Sequence, residues 1–144
     1  MSERTKTLLY IAIFIIVIGA IGMILMRIKV QPKSEINQLE QAEILEVGED
    51  TFEAEVLQST KKVLVDFYAT WCGPCRILKP TIMEFAKEHE EVKVVEVDVD
   101  KAQNLSNKYG VISIPTLVII ENGKEINRVV GAVSKEKLME ICGL

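Results

Sequence analysis

Cys72 and Cys75 stand two residues apart in Trp71-Cys72-Gly73-Pro74-Cys75, a spacing at which two thiols can close an intramolecular disulfide and open it again. The nucleophile in such an exchange is a thiolate rather than a thiol. Proline is tolerated in the first turn of a helix, where its missing N–H has no intrahelical partner, so Gly73-Pro74 reads as a tight turn into a helix. Unpaired N–H groups at a helix start favour negative charge, which suits a thiolate at Cys72. Metal chemistry fits less well. A zinc site needs four ligands, and His89 and the distant Cys142 form no recognisable second pair. An iron–sulfur cluster fails on the same count. No metal and no other cofactor is expected; an inert, buried pair of cysteines is the alternative.

The flanking sequence supplies elements to hold the pair. Val63–Tyr68 is almost wholly apolar, as for a central strand covered on both faces. Asp66 is its one polar residue, to be read as buried or as lying at a solvated strand edge. Beyond the cysteines, Arg76–Glu88 carries Ile77, Leu78, Ile82, Phe85 and Ala86 on a helical face, with Pro80 expected to kink it. Upstream, Ile44–Val47 predicts a short strand, and Asp50 with Glu53 a capping box opening a helix through Gln58. Val92–Val99 alternates Val95, Val97 and Val99 with Glu96, Asp98 and Asp100, as a half-buried strand does. Ala102–Tyr109 predicts a short helix ended by Gly110. Thr116–Glu121 and Glu125–Val130 predict a hairpin around Asn122-Gly123, and Ser134 caps a last helix, Lys135–Cys142. A hairpin is antiparallel and a βαβ crossover parallel, so the expectation is an α/β domain with a mixed sheet flanked by helices.

The chain has 144 residues, 49% of them hydrophobic, and the excess is local. Residues 8–26, LLYIAIFIIVIGAIGMILM, carry no charge; as a helix they span ~28 Å, about the hydrocarbon thickness of a bilayer. This predicts a transmembrane signal anchor after a short head at 1–7. A cleaved signal peptide competes, but cleavage near Ala20 or Gly22 would leave an apolar N-terminus. Residues 27–42 form a polar juxtamembrane spacer, and 43–144 the globular domain. Lysines and arginines nearly balance across the span, so the positive-inside rule does not orient it. A short head before an N-terminal anchor favours a single-pass protein of the cell membrane with its domain outside the cytoplasm. Five basic residues against one acidic in 1–33 leave the remainder at −8 of a net −4. An acidic domain argues against nucleic acid as a partner. Three cysteines are too few for a disulfide-stapled scaffold; Cys142 reads as a buried bystander.

From about Ile44 to Leu144 the chain resembles the thioredoxin family. VDFYATWCGPC, Pro80, Ile114-Pro115-Thr116, the Asn122-Gly123 hairpin and Val130-Gly131-Ala132 carry the resemblance. It implies the thioredoxin fold and a thiol–disulfide oxidoreductase, most simply a membrane-tethered protein-disulfide reductase. Cys72 would be the nucleophile, with a pKa drawn toward ~7, the figure typical of that family, and the more covered Cys75 would resolve the mixed disulfide. Asp66 would be a buried carboxylate assisting proton transfer. Pro115 would be a cis-proline facing the thiols, although a strand-start proline is its plain reading. Ile114 would offer a short pairing edge to substrate, with Trp71, Gly73, Pro74, Gly131 and Ala132 completing a shallow rim.

Two positions depart from the family pattern. Tyr68 replaces a common tryptophan. Glu96 stands where a lysine is common, and a carboxylate there would push the Asp66 pKa upward. Expected partners are disulfide-containing proteins, an upstream thiol donor (thioredoxin-reductase-like or a membrane electron carrier) and the bilayer. The Gly-Pro pair resembles reductants near about −270 mV rather than oxidants near about −120 mV. An oxidase or isomerase in an oxidising compartment, and a non-catalytic docking module, are the alternatives.

Overall fold

Strand β2, Lys62–Tyr68, is the axis of the structure, because its residues from Val63 to Phe67 are buried whichever face they point to. It pairs in parallel with β3, Val92–Asp98, and antiparallel with β4, Thr116–Glu121. The short β1, Leu45–Glu46, lies outside β3, and β5, Lys124–Val130, outside β4, giving the order β1-β3-β2-β4-β5. The computed structural model describes residues 6, 8, 11, 13–20 and 44–144. The chain divides into two compact units, Met1–Glu40 and Gln41–Leu144. In the first, the described residues are helical and exposed, Leu8, Phe14 and Ile16 among them. Among the described residues no helix is long and apolar enough to cross a membrane. The span expected at 8–26 lies partly outside those residues, the head at 1–7 almost entirely, and the spacer at 27–42 wholly.

Side chains alternate across a strand, and that period builds two cores. Val63, Val65 and Phe67 of β2 join Val95, Val97, Val118 and Ile120 on one face. Phe52 and Val56, at a π-helical turn spanning Glu53–Leu57, cover that face together with Leu105 of α2, Gln103–Lys108. On the other face Leu64, Leu117 and Ile119 meet Leu78, Ile82 and Phe85 of α1, Gly73–Glu88, and Leu138 and Ile141 of α3, Lys135–Cys142. The hairpin turns through Asn122 and Gly123 at φ 52° and 73°, the positive pair that a two-residue turn between twisted strands requires. Ser134 caps α3 by accepting the Lys137 N–H.

Four local expectations are corrected. The capping box at Asp50 and Glu53 does not form: the turn starts from Phe52 without a side-chain cap, and the Gly48 N–H is taken by Thr51 Oγ1. The helix there is one π turn rather than a run from Asp50 to Gln58. Ile77 is not part of the buried face of α1 and is 75% exposed, since one residue of helix, about 100° of rotation, separates it from Leu78. β3 is buried on both faces, including Glu96 and Asp98, because Val95 and Val97 pack under the π turn and α2 while Val92 and Val94 pack under α1 and α3. Pro80 sits inside α1, which continues to Glu88.

The contrast within α1 is measurable. Phe85→Ala should cost about 3–5 kcal/mol through lost burial and a residual cavity, while Ile77→Ala should stay within about 0.5 kcal/mol of the parent. Urea-unfolding midpoints of the two variants check this; equal losses would contradict the assigned faces.

Candidate active site

The helix and strand periods aim the chemistry at one place. Asp66 shares its face of β2 with Leu64, which packs under α1, and Cys75 and Lys79, four residues apart, share one face of that helix. Glu96 is the cross-strand neighbour of Asp66 in the β2–β3 register. The four side chains accordingly line one pocket of about 200 Å³, with Tyr68 and Arg76 also contributing. Lys79 Nζ donates to Glu96 Oε1 in an ion pair. Asp66 Oδ1 is buried and has no hydrogen-bond partner among the described residues.

Burial, and secondarily the charge of Glu96, push the Asp66 carboxyl up to about 7, with Lys79 pulling the other way. Glu96 thus acts in the direction expected from the sequence, but desolvation outranks it. The charge balance is also different from that expectation. A lysine is present after all, delivered by α1 instead of β3. The signal was available: Lys79 lies four residues beyond Cys75, on the same helical face.

Cys72 and Cys75 are joined in a disulfide, with S–S 2.08 Å and Cα–Cα 5.3 Å. Both residues are 4% exposed, so coverage does not distinguish them as expected; position in the helix does. Cys72 is the N-cap of α1, with extended backbone, and its Sγ accepts the Cys75 N–H at 3.2 Å. The sulfur that receives this N–H is the one whose negative charge the helix end stabilises in the reduced form. Ala69 packs with the two cysteines, against Tyr68, Val99 and Ile114.

Opposite the helix start, Cys72 Sγ lies 3.8 Å from the Ile114 carbonyl oxygen, and the Ile114–Pro115 peptide is cis. Ile114 is half-buried and Pro115 buried. The Pro115 carbonyl accepts the Gly131 N–H at 2.8 Å, which brings Gly131 and the exposed Ala132 beside this segment. Gly131, at φ 97°, occupies a conformation that L side chains rarely adopt. Trp71 is 66% exposed, yet its indole N–H is held by Asp100 Oδ2 at 2.7 Å. Gly73 is half-buried and Pro74 exposed.

Cys142 belongs to none of this. It is buried with Leu138 and Ile141 in the core under α3, and burial pushes its thiol up to about 11, with Lys62 pulling it down. Among the described residues no group of three or more His, Cys, Asp or Glu side chains is placed to hold a metal ion.

The thioredoxin family model matches residues 43–142. Thioredoxin 1 of Nostoc sp. is 46% identical over 96 residues, covering 66% of this chain and 90% of that protein. The chloroplastic M-type thioredoxin of Chlamydomonas reinhardtii is 42% identical over 100 residues, 69% of this chain and 71% of the relative. A bifunctional thioredoxin reductase/thioredoxin of Mycobacterium leprae is 42% identical over 96 residues, 66% of this chain and 21% of that longer protein.

The state of Asp66 sets a stability signature. Its folded pKa, about 7, lies above the ordinary 3.8, so the folded protein holds this proton more tightly than the unfolded chain does. The resulting stability is present below pH 3.8 and is lost as pH rises to about 7. Asp66→Asn should therefore stabilise the oxidised protein by up to roughly 4 kcal/mol at about pH 8 and by far less at about pH 4. Urea unfolding at both pH values checks this; an equal difference at the two would contradict it.

Proposed function

The chain belongs to the thioredoxin family of thiol–disulfide oxidoreductases, and on that premise we propose that it works as a membrane-tethered protein-disulfide reductase. The observation that carries the catalytic part is the placement of the two sulfurs. Cys72 Sγ sits between a helix N–H and the Ile114 carbonyl edge, while Cys75 lines the pocket that holds Asp66.

In the reduced enzyme the Cys72 thiolate attacks one sulfur of a protein disulfide. The substrate S–S bond breaks, its other sulfur leaves as a thiolate that takes up a proton, and a mixed disulfide joins Cys72 to the substrate. Cys75 then passes its proton toward the Asp66 carboxylate and attacks Cys72 Sγ. The mixed disulfide breaks, the second substrate thiol is released, and the enzyme is left with the Cys72–Cys75 disulfide. Two electrons pass to the substrate, and an external dithiol donor must return them. The Mycobacterium leprae relative is named as a bifunctional thioredoxin reductase/thioredoxin, which favours a thioredoxin-reductase-like donor here over a membrane carrier. Trp71, Gly73, Pro74, Ile114, Pro115, Gly131 and Ala132 form the substrate rim in this reading.

The tether rests on residues 8–26, whose described members are exposed apolar side chains. A single helical anchor with the catalytic domain outside the cytoplasm is the arrangement we favour. With Ser34→Cys introduced in place of the two active-site thiols, a membrane-impermeant maleimide should label intact cells. Labelling only after lysis would reverse the orientation, and recovery of the protein without membranes would remove the tether.

Two variants test the chemistry. Cys75→Ser should accumulate a dithiothreitol-sensitive adduct with substrate protein, and Cys72→Ser should form none and reduce no disulfide. A double variant that still performs the cellular role would favour a docking module instead. The pH profile tests the proton step: resolution should accelerate as Asp66 ionises near pH 7, and Glu96→Gln should move that rise to lower pH. A profile unchanged by Glu96→Gln would contradict the coupling.

A further inference from the structure

The segment Val111–Pro115 presents an apolar side chain that the free protein leaves wholly in water. Ile112 is 98% exposed, more than any other large hydrophobic residue among those described. Its backbone is nevertheless tied on both sides: the Val111 N–H donates to the Ser106 carbonyl at 2.9 Å, and the Ser113 carbonyl accepts the Thr116 hydroxyl at 2.6 Å. Ile112 therefore stands on a held loop, two residues from the Ile114 carbonyl that lies 3.8 Å from Cys72 Sγ. Two residues of chain span at most about 7 Å, a reach comparable to the two-residue repeat of an extended peptide. Single exposed apolar residues are ordinary on protein surfaces, but this one has company at the same end of the sheet. Val130, cross-strand from Thr116, is 56% exposed, and Trp71, next to the nucleophile, is 66% exposed.

We propose that Ile112 is a specificity-determining residue that selects protein disulfides with a large apolar side chain two residues from the attacked cysteine. The inference deepens the disulfide-exchange reading and rests on it. The occupant is the substrate polypeptide, because Ile112 continues the edge beside the reacting sulfur. When a substrate backbone lies along Ile114 in a mixed disulfide, a residue two positions from its cysteine falls opposite Ile112. An apolar side chain there removes isoleucine surface from water; a serine does not.

The test compares disulfide-linked peptides carrying Leu or Ser two residues on both sides of the cysteine, with 5,5′-dithiobis(2-nitrobenzoate) as a small disulfide lacking such side chains. The full chain should prefer the Leu peptide by about tenfold in kcat/KM. Ile112→Ser should reduce that preference to about twofold or less, and Ile112→Leu should keep it. Ile126→Ser, an exposed change on β5, should leave the preference intact, and all variants should reduce the small disulfide at the parent rate. No preference in the parent protein, its retention in Ile112→Ser, or its equal loss in Ile126→Ser overturns the proposal. So does slowing of the small disulfide by the same factor as the peptide, which would mark a distorted site. Failure of the parent to reduce the small disulfide at all would instead remove the exchange reading, and the proposal with it.

Discussion

Asp66 puts an ionisable carboxyl in the middle of a central strand whose flanking residues are buried on both faces, and most of the site's properties follow from that placement. A carboxylate removed from water is unfavourable unless paired or protonated. Among the described residues there is neither a hydrogen bond for Oδ1 nor a direct ion pair. The fold provides a pocket of about 200 Å³, large enough to admit water, whose wall includes Cys75. The group is thereby left able to take or lose a proton near neutral pH, at a cost in stability that the two surrounding cores offset. For the proposed proton step a solvated aspartate would be too weak a base, and a fully paired one weaker still.

The placement of Lys79 sharpens the point. Two carboxylates are neighbours in the β2–β3 register, and the charge of Glu96 raises the cost of ionising Asp66. One lysine could neutralise either. It bonds Glu96, and had it bonded Asp66 instead, that carboxyl would have been drawn down toward the ordinary range. Pairing the lysine with the neighbour limits the charge of the cluster while leaving the proton of Asp66 mobile. The ion pair acts on Asp66 only through space, and so more weakly than desolvation does.

Much of this was legible in the sequence because it depends on short-range patterns. The helix-start reading of Gly73-Pro74, the Asn122-Gly123 turn and the Ser134 cap each have a local cause, and each forms as read. Asp66 stood out because it interrupts an apolar run. The misses have non-local causes. β3 was read as half-buried because Glu96 and Asp98 alternate with valines, and only the packing of helices on both sides of the sheet shows why both faces are covered. Ile77 looked like core because apolar residues at Ile77 and Leu78 are consecutive, and only packing decides which one α1 turns inward. Lys79 was not singled out, although its spacing from Cys75 puts both on one helical face; its role appears once β2, β3 and α1 are seen to share a face. The capping box is the one local miss: the turn starts from Phe52, beyond Asp50, and has no side-chain cap.

The disulfide separates two tasks that would interfere if they met on one side. Proton handling wants enclosure, since a base is tuned only where water is restricted, and Cys75 meets it through the pocket behind the helix start. Substrate encounter wants an open edge, and Cys72 lies beside one, at a carbonyl left available on a held loop. The first turn of α1 is what keeps the two apart, since it places Cys72 at the N-cap and Cys75 inside the helix while holding their sulfurs in bonding reach. In the proposed exchange, widening that spacing would expose the resolving sulfur to substrate or strand the nucleophile away from its partner. Discrimination among substrates must then come from the open side alone. Along that edge, the side chains free to supply it are the apolar ones that the fold holds in place without burying.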